Sequence, residues 1–360
     1  MTVSSPNSEL LGVAEVAELL GVTRQAVTNW KSRGNFPDPI ANLKSGPVWG
    51  SSDVLDWAQA MGIEIVERSK GKSAAETVKH RVGACIVSVV NAKGGVGKST
   101  ICVNLGWFCY AYLNKRVLLI DLDPQFNLSQ YALGGDAYET LIRDKRPTVT
   151  SIFSQGIGPA RKRSIGKQAI SSIRKLNVRG GQLDVIPSDI NLAWNVREPY
   201  HKNDSLKNYI KHVVGYDAYD LVLIDCPPTD SVLTDAAYAA SDFLLVPVRP
   251  EFLSAVGLPL IDSSLQRFHQ LVPESELEVA GVVINGAVES KPEYKRSKAD
   301  ILKAAKAFGW HVFDHELGHS ESYPKGARLG ASIFHTVYAR WGRRREFAAF
   351  AQEFAKRVNL

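Results

Sequence analysis

Glycine, lysine and serine residues are concentrated in one short stretch, VVNAKGGVGKST, at residues 89–100. Its glycines leave backbone N–H groups free to converge on phosphate oxygens, and the helix expected to follow adds the positive end of its dipole. Lys98 would supply a point charge to the β- and γ-phosphates, and the Ser99 hydroxyl would be a ligand for Mg²⁺. The residues assigned to nucleotide binding are Lys93, Gly94, Gly95, Val96, Gly97, Lys98, Ser99 and Thr100. A tight strand-to-helix turn without a ligand is the alternative.

Polar residues also follow three apolar runs that have the composition of strands. Asp121 and Asp123 follow the run RVLLI, whereas Asp225 ends the run LVLID and Asn285 ends VAGVVIN. The carboxyl ends of parallel strands border the crevice where such sheets bind ligands, so we expect these side chains near the phosphate-binding stretch. As an alternative, Asp121 and Asp123 could cap a helix that begins near Pro124.

The stretches KGGVGKST, DLDPQFN and LVLIDCPP, in this order and spacing, resemble the deviant Walker A ATPases of the ParA/MinD superfamily, and the likeness covers residues 83–340. The resemblance implies that Lys93 reaches across a dimer to the partner's nucleotide and that Asp123 positions the attacking water. It also implies that Asp121 and Asp225 hold Mg²⁺ or its waters, and that Asn285 contacts the adenine. The implied cofactors are ATP and Mg²⁺, and the implied catalytic residues are Lys93 and Asp123.

Apolar strands alternate with helical segments from residue 83 onward, which predicts an α/β fold with a doubly wound, mostly parallel sheet of the P-loop ATPase type. The strand candidates are residues 86–90, 116–120, 183–188, 219–225, 243–248 and 279–285, with Trp310–Phe313 as a last edge strand. Residues 62–82 are rich in charge, Ser and Ala, which is typical of a linker. We therefore expect a small N-terminal domain at residues 1–61, the linker at 62–82 and an ATPase domain at 83–360.

The N-terminal residues 10–33 have the pattern of two short helices around a turn. The second helix carries polar side chains on its outer face near its start, as the recognition helix of a helix-turn-helix does. The candidates for DNA contact are Arg24, Gln25, Thr28 and Lys31. Residues 36–49 look like a small wing, and Ser51-Ser52-Asp53 would cap a third helix. This pattern resembles winged helix-turn-helix domains of the MerR or excisionase type, and a helical hairpin used for dimer contact is the alternative.

Charge indicates a polyanionic partner, since the net charge is +6 and the pI is about 9.0. Basic residues cluster at residues 161–179 and in WGRRRE near the C-terminus. ATP-bound dimers of the partition ATPases bind DNA without sequence preference through C-terminal basic residues, so by resemblance the candidates are Arg340, Arg343 and Arg344. A solvated helix face is the alternative.

The last helix, residues 346–358, could lie on a membrane as in Min-type relatives, but we expect its apolar stripe to pack on the sheet.

The four cysteines show no CxxC spacing, so neither a zinc site nor a disulfide framework is indicated. Their placement also disfavours the shared cluster of nitrogenase-reductase chemistry. No apolar run approaches the roughly 18 residues of a membrane helix, and no signal-peptide segment is recognised. We expect a cytoplasmic, nucleoid-associated protein without a membrane partner.

The resemblance implies a ParA-like ATPase that partitions a plasmid or a chromosome. ATP would drive a sandwich homodimer that binds nonspecific DNA, and a ParB-like centromere-binding partner would stimulate hydrolysis. The N-terminal domain would bind an operator and regulate the protein's own genes. One alternative is an ATP-gated transcriptional regulator with little motor role, and another is a MinD-like positioning ATPase.

Overall fold

The structure is a computed structural model, and it describes residues 10–20, 22, 24–32, 36–43, 46–61, 83–153, 169–172, 181–195, 203–251, 254–288, 290 and 292–360. The described residues form a three-stranded sheet before residue 62 and an eight-stranded sheet after residue 83. The expected linker lies outside the described residues, as does most of the basic cluster at residues 161–179.

Helices and strands of the N-terminal part lie close to their predicted places. They are β1 (Leu10–Leu11), α1 (Val13–Leu19), α2 (Arg24–Ser32), β2 (Ala41–Leu43), β3 (Gly46–Gly50) and α3 (Ser51–Ala60). Strand β3 pairs antiparallel with both β1 and β2. Four aromatic rings hold these elements together, with centroids 4.6 to 6.3 Å apart: Trp30, Phe36, Trp49 and Trp57. The Trp49 indole nitrogen donates a hydrogen bond of 2.8 Å to the Pro37 carbonyl, so this buried polar group is satisfied.

The large sheet is mostly parallel, as the alternating pattern predicted. Its strands are β4 (Cys85–Val89), β5 (Arg116–Asp121), β6 (Ser171–Ser172), β7 (Gln182–Ile186), β8 (Leu221–Asp225), β9 (Phe243–Val248), β10 (Glu278–Ala287) and β11 (Leu317–Gly318). They lie in the order β11-β10-β9-β4-β8-β5-β7-β6. Neighbouring strands run parallel except for β6, which pairs antiparallel with β7.

Helices connect these strands and cover the sheet. They are α4 (Lys98–Ala111), α5 (Asn127–Leu133), α6 (Gly135–Arg143), α7 (Thr150–Phe153), α8 (Leu192–Asn195), α9 (Asn203–Tyr209), α10 (Val232–Ala240), α11 (Ser254–Leu271), α12 (Pro292–Ala307), α13 (Ser322–Arg328) and α14 (Trp341–Arg357). A π-helical turn at Ile210–Gly215 continues α9. None of the helices in the described part of the chain is long and apolar enough to cross a membrane.

Two apolar clusters lie on opposite faces of the sheet, because its central strands are apolar on both sides. Every residue of β4 and β8 is buried. Helices α4 and α14 contribute to the cluster on one face, and α10, α11 and α12 contribute to the cluster on the other. The phenylalanines Phe347, Phe350 and Phe354 of α14 are fully buried, which confirms that the apolar stripe of this helix packs inside the protein.

The edge strand predicted at Trp310–Phe313 is confirmed only in part, because this segment pairs with β10 at one residue. Val312 makes a single parallel bridge to Val282, and the edge strand is β11, further along the chain. The backbone N–H groups of Asp314 and His315 donate to the Glu353 carboxylate at 2.9 and 3.2 Å. A helix side chain therefore takes the donors that a sheet ladder would need, and the chain rejoins β10 only at Leu317.

Candidate nucleotide-binding site

Three neighbouring strands bring the predicted site residues to one edge of the sheet. Strand β8 lies between β4 and β5, and Asp225 at its end is level with Val89 on one side and with Asp121 on the other. The loop from residue 90 to 97 leaves β4 at this edge and enters α4. Because all three strands are parallel, the glycine-rich loop and the acidic residues share the crevice at their carboxyl ends.

The glycine-rich loop needs glycine at Gly97 for two reasons. Its φ angle of 94° lies in the left-handed region, and a Cβ atom there would meet the Asn285 amide nitrogen at 2.2 Å. That nitrogen donates a hydrogen bond of 2.7 Å to the Val96 carbonyl. Gly95 also has a positive φ, of 75°. The strand end at Asn285 thus braces the loop whose N–H groups would face phosphate.

Lys98 begins helix α4 and is almost fully buried. Its ammonium group donates to the backbone carbonyls of Asn91 at 3.1 Å and of Lys93 at 3.4 Å. The Asn91 side chain holds this loop in place, because it accepts from the Lys93 N–H and donates to the Pro247 carbonyl, both at 2.8 Å. A positive charge therefore lies inside the curve of the loop, where phosphate oxygens would bind.

Asp225 has the character of a ligand for a divalent cation. Its carboxylate is fully buried, and apart from an interaction with the Ser99 hydroxyl its oxygens have no hydrogen-bond partner among the described residues. Burial and the nearby Asp121 raise the pKa of Asp225 well above its usual value, while Ser99 and Lys98 act in the opposite direction. Buried carboxylates are normally paired, and oxygen ligands suit Mg²⁺. Asp225 together with the Ser99 hydroxyl therefore fits Mg²⁺.

Asp121 has hydrogen bonds at both carboxylate oxygens. One oxygen accepts from the Asp123 N–H at 3.0 Å, and the other accepts from the N–H and the hydroxyl of Ser129 at 2.9 and 2.6 Å. The Ser129 hydroxyl oxygen in turn accepts the Ser188 N–H at 2.8 Å. Burial raises the pKa of Asp121. Asp121 is thus anchored to the loop that carries Asp123, and it lies level with Asp225 on the neighbouring strand.

Asp123 lies in the loop that leaves β5. One of its oxygens accepts the Gln125 N–H at 2.9 Å, which turns the loop. Burial raises the pKa of Asp123, and the nearby Lys98 ammonium opposes this rise. An acidic side chain close to the phosphate-binding lysine is placed to orient a water molecule for attack on a phosphoryl group.

Lys93 points to an acidic partner within its own chain. Its ammonium lies 2.6 Å from a carboxylate oxygen of Glu251, whose other oxygen is 3.5 Å from Arg249. Both side chains of the Lys93–Glu251 pair are partly exposed, so this contact is weak and can be exchanged for another.

A cavity of about 440 Å³ includes Glu251, the ion-pair partner of Lys93, in its lining. It lies between the end of β9, the end of β10 and the start of α12, and its lining residues are Arg249, Pro250, Glu251, Gly286, Val288, Glu293, Tyr294 and His319. Glu251 connects the cavity to Lys93, and Gly286 follows Asn285. A cavity of this size next to a phosphate cradle is large enough for a nucleoside base and ribose.

The structure thus brings together the predicted residues of the loop, the three aspartates and Asn285, and it keeps both sets of DNA-binding candidates away from them. Arg24, Thr28 and Lys31 are exposed on α2, whereas the Gln25 side chain lies outside what the structure describes. In the C-terminal set, Arg340 is exposed and Arg343 is paired with Glu346.

The assignment of Arg344 to DNA phosphate is wrong. Its side chain is 5% exposed and donates a hydrogen bond of 2.9 Å to the Thr336 carbonyl. Burial also lowers the pKa of Arg344. On the helix α14 its position faces inward, and Arg345, one residue later, is the exposed arginine.

Sequence reasoning missed three residues of the site. Asn91 precedes the glycine-rich motif by two residues, so its place beside the motif was a usable signal. Ser129 contacts Asp121 from eight residues later in the chain, where no motif marks it, and Glu251 contacts Lys93 from 158 residues later, so the sequence carries no local signal for Glu251.

Comparison with known proteins identifies the family. A family model described as an AAA domain matches residues 84–279. The sporulation initiation inhibitor protein Soj of Bacillus subtilis is 34% identical over 202 residues, which are 55% of this chain and 71% of Soj. The chromosome partitioning protein ParA of Caulobacter vibrioides is 34% identical over 206 residues, 55% of this chain and 68% of its own. The chain belongs to the ParA-type ATPases.

Solved structures share the fold of this ParA-type ATPase. McdA of Cyanothece, determined as a complex with ATP, superposes with a TM-score of 0.62 at 20% identity over 78% of this chain and 98% of McdA. A putative plasmid partition protein of Borrelia burgdorferi, bound to AMPPNP, gives a TM-score of 0.57 at 22% identity over 76% of this chain and 99% of its own. The mostly parallel sheet and its flanking helices are therefore those of the ParA-type fold.

Proposed function

We propose that this ParA-type ATPase binds ATP with Mg²⁺ at the glycine-rich loop and uses hydrolysis to partition DNA. The observation that carries the proposal is the buried Asp225 carboxylate, which lies beside Ser99 and Lys98 and, apart from the Ser99 hydroxyl, has no hydrogen-bond partner among the described residues. Such a group is costly unless a cation pairs with it. Mg²⁺, when bound, neutralises charge on the phosphate oxygens.

The nucleotide would lie along the edge of the sheet, with its two ends recognised by different elements. The N–H groups of residues 94 to 100 and the Lys98 ammonium would bind the phosphates. The base would enter the cavity between β9, β10 and α12, which Gly286 lines and which Asn285 precedes by one residue in β10. The 440 Å³ of this cavity supports the placement of a base there.

Asp123 would orient the attacking water, because it is the acidic side chain of the β5 loop with a free oxygen near Lys98. Lys93 would leave Glu251 and reach the nucleotide of a second copy of the chain. The partly exposed ion pair supports this role, since little free energy is lost when such a pair opens. ATP binding and dimerisation would then be coupled through Lys93.

The ATP-bound homodimer would bind nonspecific DNA on the nucleoid, and a ParB-like partner would stimulate hydrolysis. The named functions of the Caulobacter and Borrelia relatives support a partition role. Among the C-terminal arginines, Arg340 and Arg345 are exposed and thus suited to phosphate contact, Arg343 is shared with Glu346, and Arg344 is excluded by burial. The cargo would be a plasmid or a chromosome in the cytoplasm.

The N-terminal residues 1–61 would form a separate DNA-binding domain that is joined through residues 62–82 to the ATPase domain at 83–360. Exposed Arg24, Thr28 and Lys31 on α2, together with the β2–β3 hairpin, support this assignment. The same surface favours a second candidate function, in which the chain is an ATP-gated transcriptional regulator. In both cases the domain binds an operator.

DNA binding measured with ATP, ADP and no nucleotide, on operator-containing and random duplexes, tests the proposal. For a partition ATPase we expect ATP to strengthen binding to random duplexes, in step with dimerisation seen by light scattering. One strong operator site with weak, ATP-independent binding to random DNA would favour the regulator instead. Asp123→Ala is the matched variant: it should bind ATP, dimerise and stay on DNA without turning ATP over.

A further inference from the structure

Exposed cations and apolar side chains lie together at the start of α14, in the loop before it and on α13. We call this the basic–aromatic surface, and its members are Lys325, Val337, Tyr338, Arg340, Trp341 and Arg345. Val337 is 83% exposed, Tyr338 53% and Trp341 40%, although large apolar side chains are usually buried. The ATPase site does not use these residues.

Each exposed ring on this surface has a cation against it. The Lys325 ammonium lies 5.5 Å from the centre of the Tyr338 ring, and the Arg345 guanidinium lies 5.4 Å from the centre of the Trp341 ring. Such cation–π contacts orient a ring without removing it from water. The Tyr338 and Trp341 rings are therefore oriented by their cations and remain partly exposed to solvent.

The loop beneath the rings is held rigidly. Buried Arg344 donates to the Thr336 carbonyl at 2.9 Å, and the Ser322 hydroxyl donates to the Tyr338 carbonyl at 2.9 Å. Further down, the Ile333 N–H donates to the Asn104 side chain of α4 at 2.6 Å. The loop that carries the surface is thus hydrogen-bonded to α4, the helix that begins at the nucleotide site.

Charge restricts what this surface can bind. The 24 residues from Ser322 to Arg345 include six arginine and lysine residues and no acidic residue. Arg344 is buried and Arg343 is paired with Glu346, so the exposed cations of this segment are Lys325, Arg328, Arg340 and Arg345. These four charges favour an anionic ligand. Duplex DNA bound through phosphates alone would need the cations but not exposed tyrosine, tryptophan and valine. A bilayer would need an apolar helix face, and the apolar face of α14 is buried.

We propose that the basic–aromatic surface binds single-stranded DNA. Bases would stack on Tyr338 and Trp341, while Arg340 and Lys325 contact the phosphates between them. Single-strand binding sites combine a cationic track with aromatic platforms in this way, because every base has a face that stacks. The inference extends the DNA-binding part of the proposed function to a second class of DNA, and it requires neither the operator nor the partner.

Fluorescence anisotropy with a labelled 20-mer of thymidine and a random 20-bp duplex tests this, using the full chain with ATP and Mg²⁺. Tyr338→Ala with Trp341→Ala should weaken binding to the single strand by about tenfold or more, whereas duplex binding changes by less than about twofold. Tyr338→Phe with Trp341→Phe keeps both rings and should restore single-strand binding. Arg340→Ala is the charge control, and it should weaken both.

Three results would overturn the inference: a wild-type protein that does not bind the single strand, an equal loss on both DNAs in the alanine variant, or no loss at all. Ring-dependent binding to vesicles with anionic headgroups, without single-strand binding, would replace it with a membrane role. Failure of ATP to strengthen duplex binding in the wild type would instead count against the proposed function. The two failures are therefore distinguishable.

Discussion

The buried Asp225 carboxylate lowers the free energy of unfolding when it is ionised, and a role in cation binding would explain why this residue is there. Burial and the nearby Asp121 charge favour the protonated form of this carboxyl group, and they raise its pKa against the opposing effects of Ser99 and Lys98. The folded protein then holds this proton over a pH interval in which the unfolded chain has released it. Within that interval the free energy of unfolding decreases as pH rises. A bound cation would reverse the cost.

Asp225→Asn should therefore raise the melting temperature of the nucleotide-free protein at pH 7, by about 2 °C or more. The gain should shrink as pH falls toward about 4, where the unfolded aspartate also becomes protonated. The same variant should lose the Mg²⁺ dependence of ATP binding. Calorimetry across pH and titration with a fluorescent ATP analogue are the measurements.

Asp220→Asn is the control of opposite sign. Burial acts to raise the pKa of Asp220, but hydrogen bonds from Arg116 prevail and lower it. Its ionised form therefore stabilises the fold above the unfolded pKa, and this contribution is lost as pH falls. Asp220→Asn should melt below the wild type at pH 7. A lower melting temperature for both variants would contradict the account of Asp225.

The two lysines of the loop should separate binding from dimerisation. Lys98→Ala should abolish nucleotide binding, because the buried ammonium is the positive charge inside the loop. Lys93→Ala should retain most ATP affinity but fail to dimerise, since Lys93 is partly exposed and faces outward to Glu251. Equilibrium titration and light scattering measure the two steps. A Lys93→Ala protein that still dimerises with ATP would remove the cross-dimer role from this residue.

The end of β10 helps to shape the glycine-rich loop through the Asn285 side chain, which donates to the Val96 carbonyl. Gly97→Ala should lower the melting temperature of the nucleotide-free protein, because its φ is positive and its Cβ would meet Asn285 at 2.2 Å. Gly94→Ala is the matched control, since a Cβ there meets no atom within 4 Å. Thermal denaturation of both proteins tests this. Equal melting temperatures would mean that the end of β10 does not brace the loop.

Much of the fold could be predicted because its central strands are short apolar runs that end in polar residues. The runs at 221–225 and 116–121 gave both the strands and the aspartates at their ends. The edge strand could not be placed, because Glu353 competes for the backbone of Asp314 and His315 from a distant helix. Of the three consecutive arginines 343–345, Arg344 is the buried one. This could not be predicted, because it depends on which side of α14 packs against the protein.

At the scale of the whole molecule, two DNA-binding surfaces should respond differently to mutation. Exposed Arg24, Thr28 and Lys31 lie on α2, where side chains can reach base edges, and Gln25 belongs to the same predicted set. Arg24→Ala with Gln25→Ala should therefore erase operator preference and leave binding to random duplexes nearly unchanged. Anisotropy on operator and random duplexes measures both. Equal loss on the two duplexes would mean that α2 contacts only phosphates.

The effect of replacing a C-terminal arginine on DNA binding should depend on whether its side chain is exposed or buried. Each phosphate contact contributes a slope of about −0.9 to the dependence of log affinity on log salt. The double variant Arg340→Ala with Arg345→Ala loses two such contacts. It should therefore make the slope less negative by about 1.8 on every duplex, and it should weaken ATP-dependent binding. Arg344→Ala should instead lower the melting temperature, because the Thr336 carbonyl keeps only the longer of its two hydrogen bonds, from the Ala339 N–H at 3.4 Å, and a buried cavity forms. Its salt slope on duplex DNA should stay that of the wild type at temperatures where it remains folded. A flattened slope in the folded Arg344→Ala protein would show that this side chain leaves its buried position when DNA binds.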